Sequence, residues 1–123
     1  MSSAKPVSTS RVGGLQWGII LLTLATAAIH FWMASKFPDM RTIFTLNGIG
    51  YLGLLGLLFL PLSFLAPYRN LARWALIAYT AVTIVAFFYV TFSSGWSVWD
   101  DPIGLATKAL EVVLIVLLFM DTR

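Results

Sequence analysis

Lys108 and Glu111 are the residues of this sequence whose types and spacing most directly allow chemistry. They carry opposite charges three positions apart inside an apolar run, and residues at that spacing share one face of an α-helix. A single unpaired charge at the middle of a membrane helix costs about 2.5–3.5 kcal/mol, so a bilayer-crossing run requires the two to pair. Two interpretations follow. The pair is structural, with Lys108 extending towards the outer interface, or it is a proton or cation relay in which Glu111 titrates.

His30 is the only histidine, and it follows Thr23 and Thr26 at spacings that place all three on one helical face. One copy of the chain cannot supply two histidines to a haem, although a single axial ligand to haem or chlorophyll, or a quinol head-group site, stays open. The alternative is a core histidine bonded to Asn47 or Glu111. We expect no cofactor; haem, quinone and a chlorophyll-type pigment are alternatives centred on His30.

Four apolar runs position these residues and fill most of the 123-residue chain. They span residues 15–35, 42–65, 71–92 and 102–120. About twenty apolar residues cross a hydrocarbon core of roughly 30 Å, so each run predicts a transmembrane helix. A polar N-terminal tail (1–14), three connections and a C-terminal tail (121–123) complete the chain. The sequence predicts an all-α polytopic membrane protein with one antiparallel four-helix bundle, whose second helix is kinked at Pro61.

Composition excludes several classes of function. Hydrophobic residues make up 59% of the chain and charged residues 11%, against roughly 45–50% and 25% in soluble domains. The net charge of +3 comes from Lys and Arg scattered at helix ends, so no nucleic-acid partner is expected. Cysteine is absent, and no nucleophile–base or metal-ligand pattern occurs. We therefore expect no enzyme activity, no metal site and no soluble substrate.

The distribution of positive charge predicts the orientation of the chain, because Lys and Arg in short loops favour the cytoplasmic side. One side would carry Lys5, Arg11, Arg69, Arg73 and Arg123, and the other Lys36 and Arg41. Both termini are therefore predicted to be cytoplasmic. Tryptophan concentrates at membrane interfaces, and five tryptophans are predicted interfacial anchors: Trp17 and Trp74 inside, and Trp32, Trp96 and Trp99 outside.

With this orientation, polar residues from all four helices lie in the outer half of the membrane. At about 1.5 Å per residue, His30 and Asn47 each lie ~8 Å from the outer end of their helix, and Glu111 lies ~14 Å from it. We predict an intramembrane polar cluster at this depth. Its members are His30, Asn47, Tyr51, Tyr89, Lys108 and Glu111.

Four segments carry a further signal: Ala28-Ile29-His30, the stretch from Leu46 to Gly53, Tyr79-Thr80 with the aromatic end of the third helix, and Thr107 to Glu111 leading into residues 112–118. Together they resemble a group of small, largely uncharacterised prokaryotic four-helix integral membrane proteins. The resemblance implies the four-helix architecture and a prokaryotic inner membrane. It implies no activity.

With almost all of its residues in apolar runs, the chain is predicted to be a small accessory or structural subunit of a larger membrane complex. A respiratory or photosynthetic electron-transfer complex is one example. Its partners would be other integral membrane subunits and lipids. The alternatives are a proton or ion conduit or small transporter that acts as an oligomer, and a haem-, quinone- or pigment-binding membrane subunit.

Overall fold

A computed structural model describes residues 13–95, 97, 99 and 101–121 of the chain. The elements within these residues are four α-helices, α1 (Gly14–Lys36), α2 (Arg41–Phe59), α3 (Arg69–Ser93) and α4 (Pro102–Met120), and two short 3-10 helices, Pro38–Met40 and Ser63–Tyr68. Each of the four α-helices belongs to a helical segment long and apolar enough to cross a membrane. Most of the predicted N-terminal tail lies outside the described residues.

The second helix is shorter than predicted, because α2 ends at Phe59 rather than at residue 65. Leu60 adopts an extended conformation, with φ −64° and ψ 131°. A residue before proline is disfavoured in the helical region, so Pro61 terminates the helix where we had expected a kink. The predicted range 42–65 is therefore wrong at its C-terminal end, and a 3-10 helix carries the chain into α3.

The helices pack in a square in which neighbours run antiparallel. Between α1 and α4, Gln16 lies 3.2 Å from Asp121 and Thr26 lies 2.8 Å from Glu111, so higher numbers in one helix meet lower numbers in the other. In each of the other neighbouring pairs, a residue near the end of one helix contacts a residue at the start of the other. Among the described residues, α1 packs on α2 and α4, and α3 packs on α2 and α4, while diagonal helices do not approach each other. The square leaves a narrow interior that all four helices line.

Arginines cap the C-terminal ends of three helices. Arg41 donates from Nε to the carbonyl of Ala34 in α1 (3.1 Å), and Arg73 donates to the carbonyl of Leu118 in α4 (2.9 Å). Arg69 donates from its two terminal nitrogens to carbonyls at the end of α2, at 2.7 and 2.6 Å. The last carbonyls of a helix lack partners within it and carry partial negative charge, so a guanidinium there is favourable.

Candidate functional site

Lys108 and Glu111 form the ion pair that their spacing predicts, in the interior of the bundle. Lys108 Nζ lies 2.7 Å from Glu111 Oε1, and both side chains are buried. The ammonium also lies 5.4 Å from the ring centroid of Phe87 on α3, within the range of a cation–π interaction. α4 places the pair near mid-length, so the charges lie far from either end of the bundle.

The second carboxylate oxygen of Glu111 is satisfied from a different helix. Thr26 Oγ1 donates to Glu111 Oε2 at 2.8 Å, and both residues are fully buried. Glu111 therefore links α4 to α1 while it neutralises Lys108. Thr26 belongs to the polar stripe on α1 but was absent from the predicted cluster, because its pairing with Glu111 depends on how the two helices are rotated.

His30 faces the interior, with 3% of its surface exposed. Its Nδ1 lies 2.7 Å from the carbonyl oxygen of Thr26, one turn earlier in α1. A carbonyl can only accept, so Nδ1 carries the hydrogen, and in the neutral ring Nε2 then carries the lone pair. The expected hydrogen bond from His30 to Asn47 or Glu111 is not made among the described residues, because the imidazole folds back onto its own helix.

Aromatic rings enclose the imidazole of His30. The ring centroid of Tyr51 lies 5.8 Å from it and that of Phe44 lies 6.2 Å from it, both on α2. These two rings pack the imidazole of α1 against α2. The described residues also hold no group of three or more His, Asp or Glu side chains placed to bind a metal ion.

Tyr51 connects the cluster to α3. Its hydroxyl lies 2.9 Å from Thr83 Oγ1, which itself donates to the carbonyl of Thr80 at 2.7 Å. The hydrogen of Thr83 is thus committed, so Tyr51 is the donor in the bond between the two hydroxyls. Thr80 Oγ1 is fully buried and has no hydrogen-bond partner within the described part of the chain. No spacing within a single helix indicates that Tyr51 on α2 reaches Thr83 on α3.

Asn47 is joined to α3 through its backbone carbonyl and not through its side chain. Tyr79 donates its hydroxyl hydrogen to the carbonyl oxygen of Asn47 at 2.8 Å, while Asn47 Oδ1 is buried without a partner among the described residues. The close approach depends on Gly50, where a Cβ would collide with the Tyr79 hydroxyl. The predicted partnership of the Asn47 side chain with His30 is therefore absent from the described contacts.

Tyr89 lies outside the cluster, with 71% of its surface exposed. It shares an outward face of α3 with Val82 and Val85, so its inclusion in the predicted cluster is wrong. Four predicted anchors are also exposed on the outside of the bundle, namely Trp17, Trp32, Trp74 and Trp99. Trp96 lies outside the described residues. The role of these tryptophans at membrane interfaces stays a prediction.

Within the described residues, direct hydrogen bonds do not form a continuous chain from Glu111 to His30. Thr26 contacts His30 through its carbonyl and Glu111 through its hydroxyl, and these two oxygens cannot exchange a hydrogen with one another. Glu111 and His30 are close enough to interact electrostatically, but the hydrogen-bonded chain between them is broken at Thr26. The contacts of Glu111 with Lys108 and Thr26 neutralise a buried charge and join α1 to α4.

Comparisons with known proteins add no relative: no family model matches this chain, and neither a curated protein nor a solved structure is significantly similar to it. The resemblance to small prokaryotic four-helix membrane proteins therefore stays a prediction.

Proposed function

We propose that this chain is an integral membrane protein of a prokaryotic inner membrane, with both termini cytoplasmic, and that it is a small accessory subunit of a larger membrane complex. One observation carries the proposal. The interior carboxylate is satisfied within the chain, while all four helices present apolar side chains outward. The bundle thus offers other molecules an apolar surface, and it keeps its charged pair enclosed.

The outward surface is apolar along the length of the helices. Its most exposed aliphatic and aromatic side chains include Leu21, Ile43, Leu46, Leu71, Val82, Val85 and Phe92. Soluble monomers rarely expose contiguous apolar patches larger than a few hundred square ångströms. In a bilayer the same side chains are already in an apolar solvent, and neighbouring helices associate by close packing. This surface supports membrane insertion and contact with other membrane subunits.

The proposal is tested by the size of the particle that contains the chain. A carboxy-terminally tagged full-length chain is expressed at its native level, and its membranes are solubilised in mild detergent and resolved on a native gel. We expect the tag to migrate with a complex far larger than the 13.6 kDa chain in its micelle. Migration as a monomer or as a homo-oligomer, with no other subunit cross-linked to it in intact membranes, contradicts the accessory role.

A second candidate, a proton or cation conduit formed by an oligomer, is favoured by one observation. Lys108 and Glu111 are both buried, and replacing a buried ion pair by apolar residues is often neutral or stabilising. If the pair serves transport rather than stability, the cost of burying two charges is explained. Proteoliposomes loaded with a pH-sensitive dye distinguish the candidates, because a conduit collapses an imposed pH gradient and Glu111→Gln abolishes this flux, whereas an accessory subunit leaves the gradient intact.

A further inference from the structure

A shallow cleft on the outer surface separates α1 from α4. Ala28, Ile29 and Trp32 line it from α1, and Ile103 lines it from the first turn of α4. Its volume is about 370 Å³, at the lower end of the range of roughly 300–1,000 Å³ typical of ligand pockets. All four lining side chains are apolar, so the cleft fits a hydrocarbon occupant.

The lining residues of α1 lie within about two turns of the C-terminal end of that helix. Ala28 and Lys36 are separated by about two turns of α1, or ~12 Å along its axis. Lys36 is the last residue of α1, where the chain would leave the hydrocarbon core. Ala28, Trp32 and Ile103 are all exposed, and Ala28 is the lining residue of α1 that lies farthest from Lys36 along the helix.

A positive charge lies beside one of the residues that line the cleft. Lys36 Nζ is 5.8 Å from the ring centroid of Trp32, so a cation–π interaction holds the ammonium beside a lining residue. Lys36 is exposed, and no carboxylate of the described residues lies within ion-pair distance of it. Asp101, two residues before Ile103 in the chain, already accepts the backbone N–H of Gly104 at 2.8 Å through Oδ1 and caps α4. The Lys36 ammonium is thus the group available to an anionic ligand.

We propose that this cleft is a binding site for one glycerophospholipid, with an acyl chain between α1 and α4 and the phosphate on Lys36. Basic residues beside clefts between membrane helices bind lipid head groups, and aromatic residues at the same level favour the interface. An isoprenoid tail or an apolar partner helix would also fill the cleft, but neither carries an anionic group to pair with the Lys36 ammonium. The site rests on the membrane insertion proposed above and is independent of the accessory role.

The test measures the lipid retained by the isolated chain. The full-length protein is purified from native membranes in mild detergent and analysed by native mass spectrometry. Two variants attack the site: Lys36→Gln removes the charge, and Ala28→Phe fills the cleft. Two matched controls lie elsewhere: Asp39→Asn changes a charge in the neighbouring connection, and Val82→Phe enlarges an exposed residue on α3. All four positions are exposed, so folding, checked by circular dichroism, is expected to be unchanged.

We expect the wild-type chain to retain one phospholipid, and both site variants to lower the lipid-bound fraction at least fivefold while the controls match wild type. Equal retention by all five proteins overturns the site. Loss in Ala28→Phe with full retention in Lys36→Gln shows that phosphate is not recognised and overturns the assignment to a phospholipid. Absence of the chain from the membrane fraction would defeat the proposed function before this measurement is reached, so the two failures are distinguishable.

Discussion

Removing the Glu111 carboxylate is expected to destabilise the bundle more than removing the whole ion pair. In Glu111→Ala, Lys108 stays buried without its partner at 2.7 Å, and the Thr26 hydroxyl loses its acceptor. At an effective dielectric constant of about 20 the gross attraction across that distance is about 6 kcal/mol, which is offset by desolvation of several kcal/mol per ion. Breaking one side of such a pair costs about 3–5 kcal/mol. Replacing both residues, Lys108→Met with Glu111→Leu, should leave stability near that of wild type.

The assay is the free energy of unfolding in mixed micelles, followed by circular dichroism during titration with a denaturing detergent. Val112→Ala is the control, because Val112 is next to Glu111 on α4 and is exposed on the outer surface; it should change the free energy of unfolding by less than about 0.5 kcal/mol. A double variant as unstable as Glu111→Ala would refute the reasoning, since it would mean that the pair itself stabilises the bundle.

Three further predictions follow from the contacts. Ser94→Cys, in a chain that has no native cysteine, should be labelled by an impermeant maleimide only from outside the cell; labelling from the cytoplasm would invert the proposed orientation. In chain labelled with ¹⁵N-histidine, His30 gives the single imidazole signal, and when the ring is neutral the hydrogen should be on Nδ1; a hydrogen on Nε2 would contradict its bond to a backbone carbonyl. Gly50→Ala should cost about 1–3 kcal/mol of stability because its Cβ collides with Tyr79, whereas Gly53→Ala, with open space around it, should be neutral or stabilising; equal effects would refute the close approach.

The elements of this fold are readable from the sequence because each apolar run is long enough to cross a bilayer. The error at the end of α2 came from treating Pro61 as an interruption within a helix. The residues around it, Leu60 and Leu62, are both extended, so the helix cannot resume at once. A single proline in an apolar run is compatible with either outcome, and the packing of the following segment decides between them.

Only those contacts of the site that join residues close in sequence could be predicted. Lys108 and Glu111 are neighbours on one helix, so their spacing predicts the pair. The bond from Thr26 to Glu111 depends on the rotation of α1 relative to α4, which no spacing within one helix encodes. The prediction that Tyr89 belongs to the cluster was wrong because spacing does not show which way a side chain near a helix end faces. Its hydroxyl can form hydrogen bonds at the interface and need not face inward.

The capping arginines contribute both to the predicted orientation of the chain and to the packing of its helices. Their charges enter the count from which the orientation in the membrane is predicted, and their guanidinium groups donate to backbone carbonyls at the ends of α1, α2 and α4. A lysine at Arg69 would preserve the charge that directs insertion, but a single ammonium cannot reproduce a planar fork that reaches two carbonyls. We therefore expect Arg69→Lys to keep the predicted orientation but to hold the α2–α3 connection less firmly. The substitution would then separate insertion from folding, to both of which the arginine contributes.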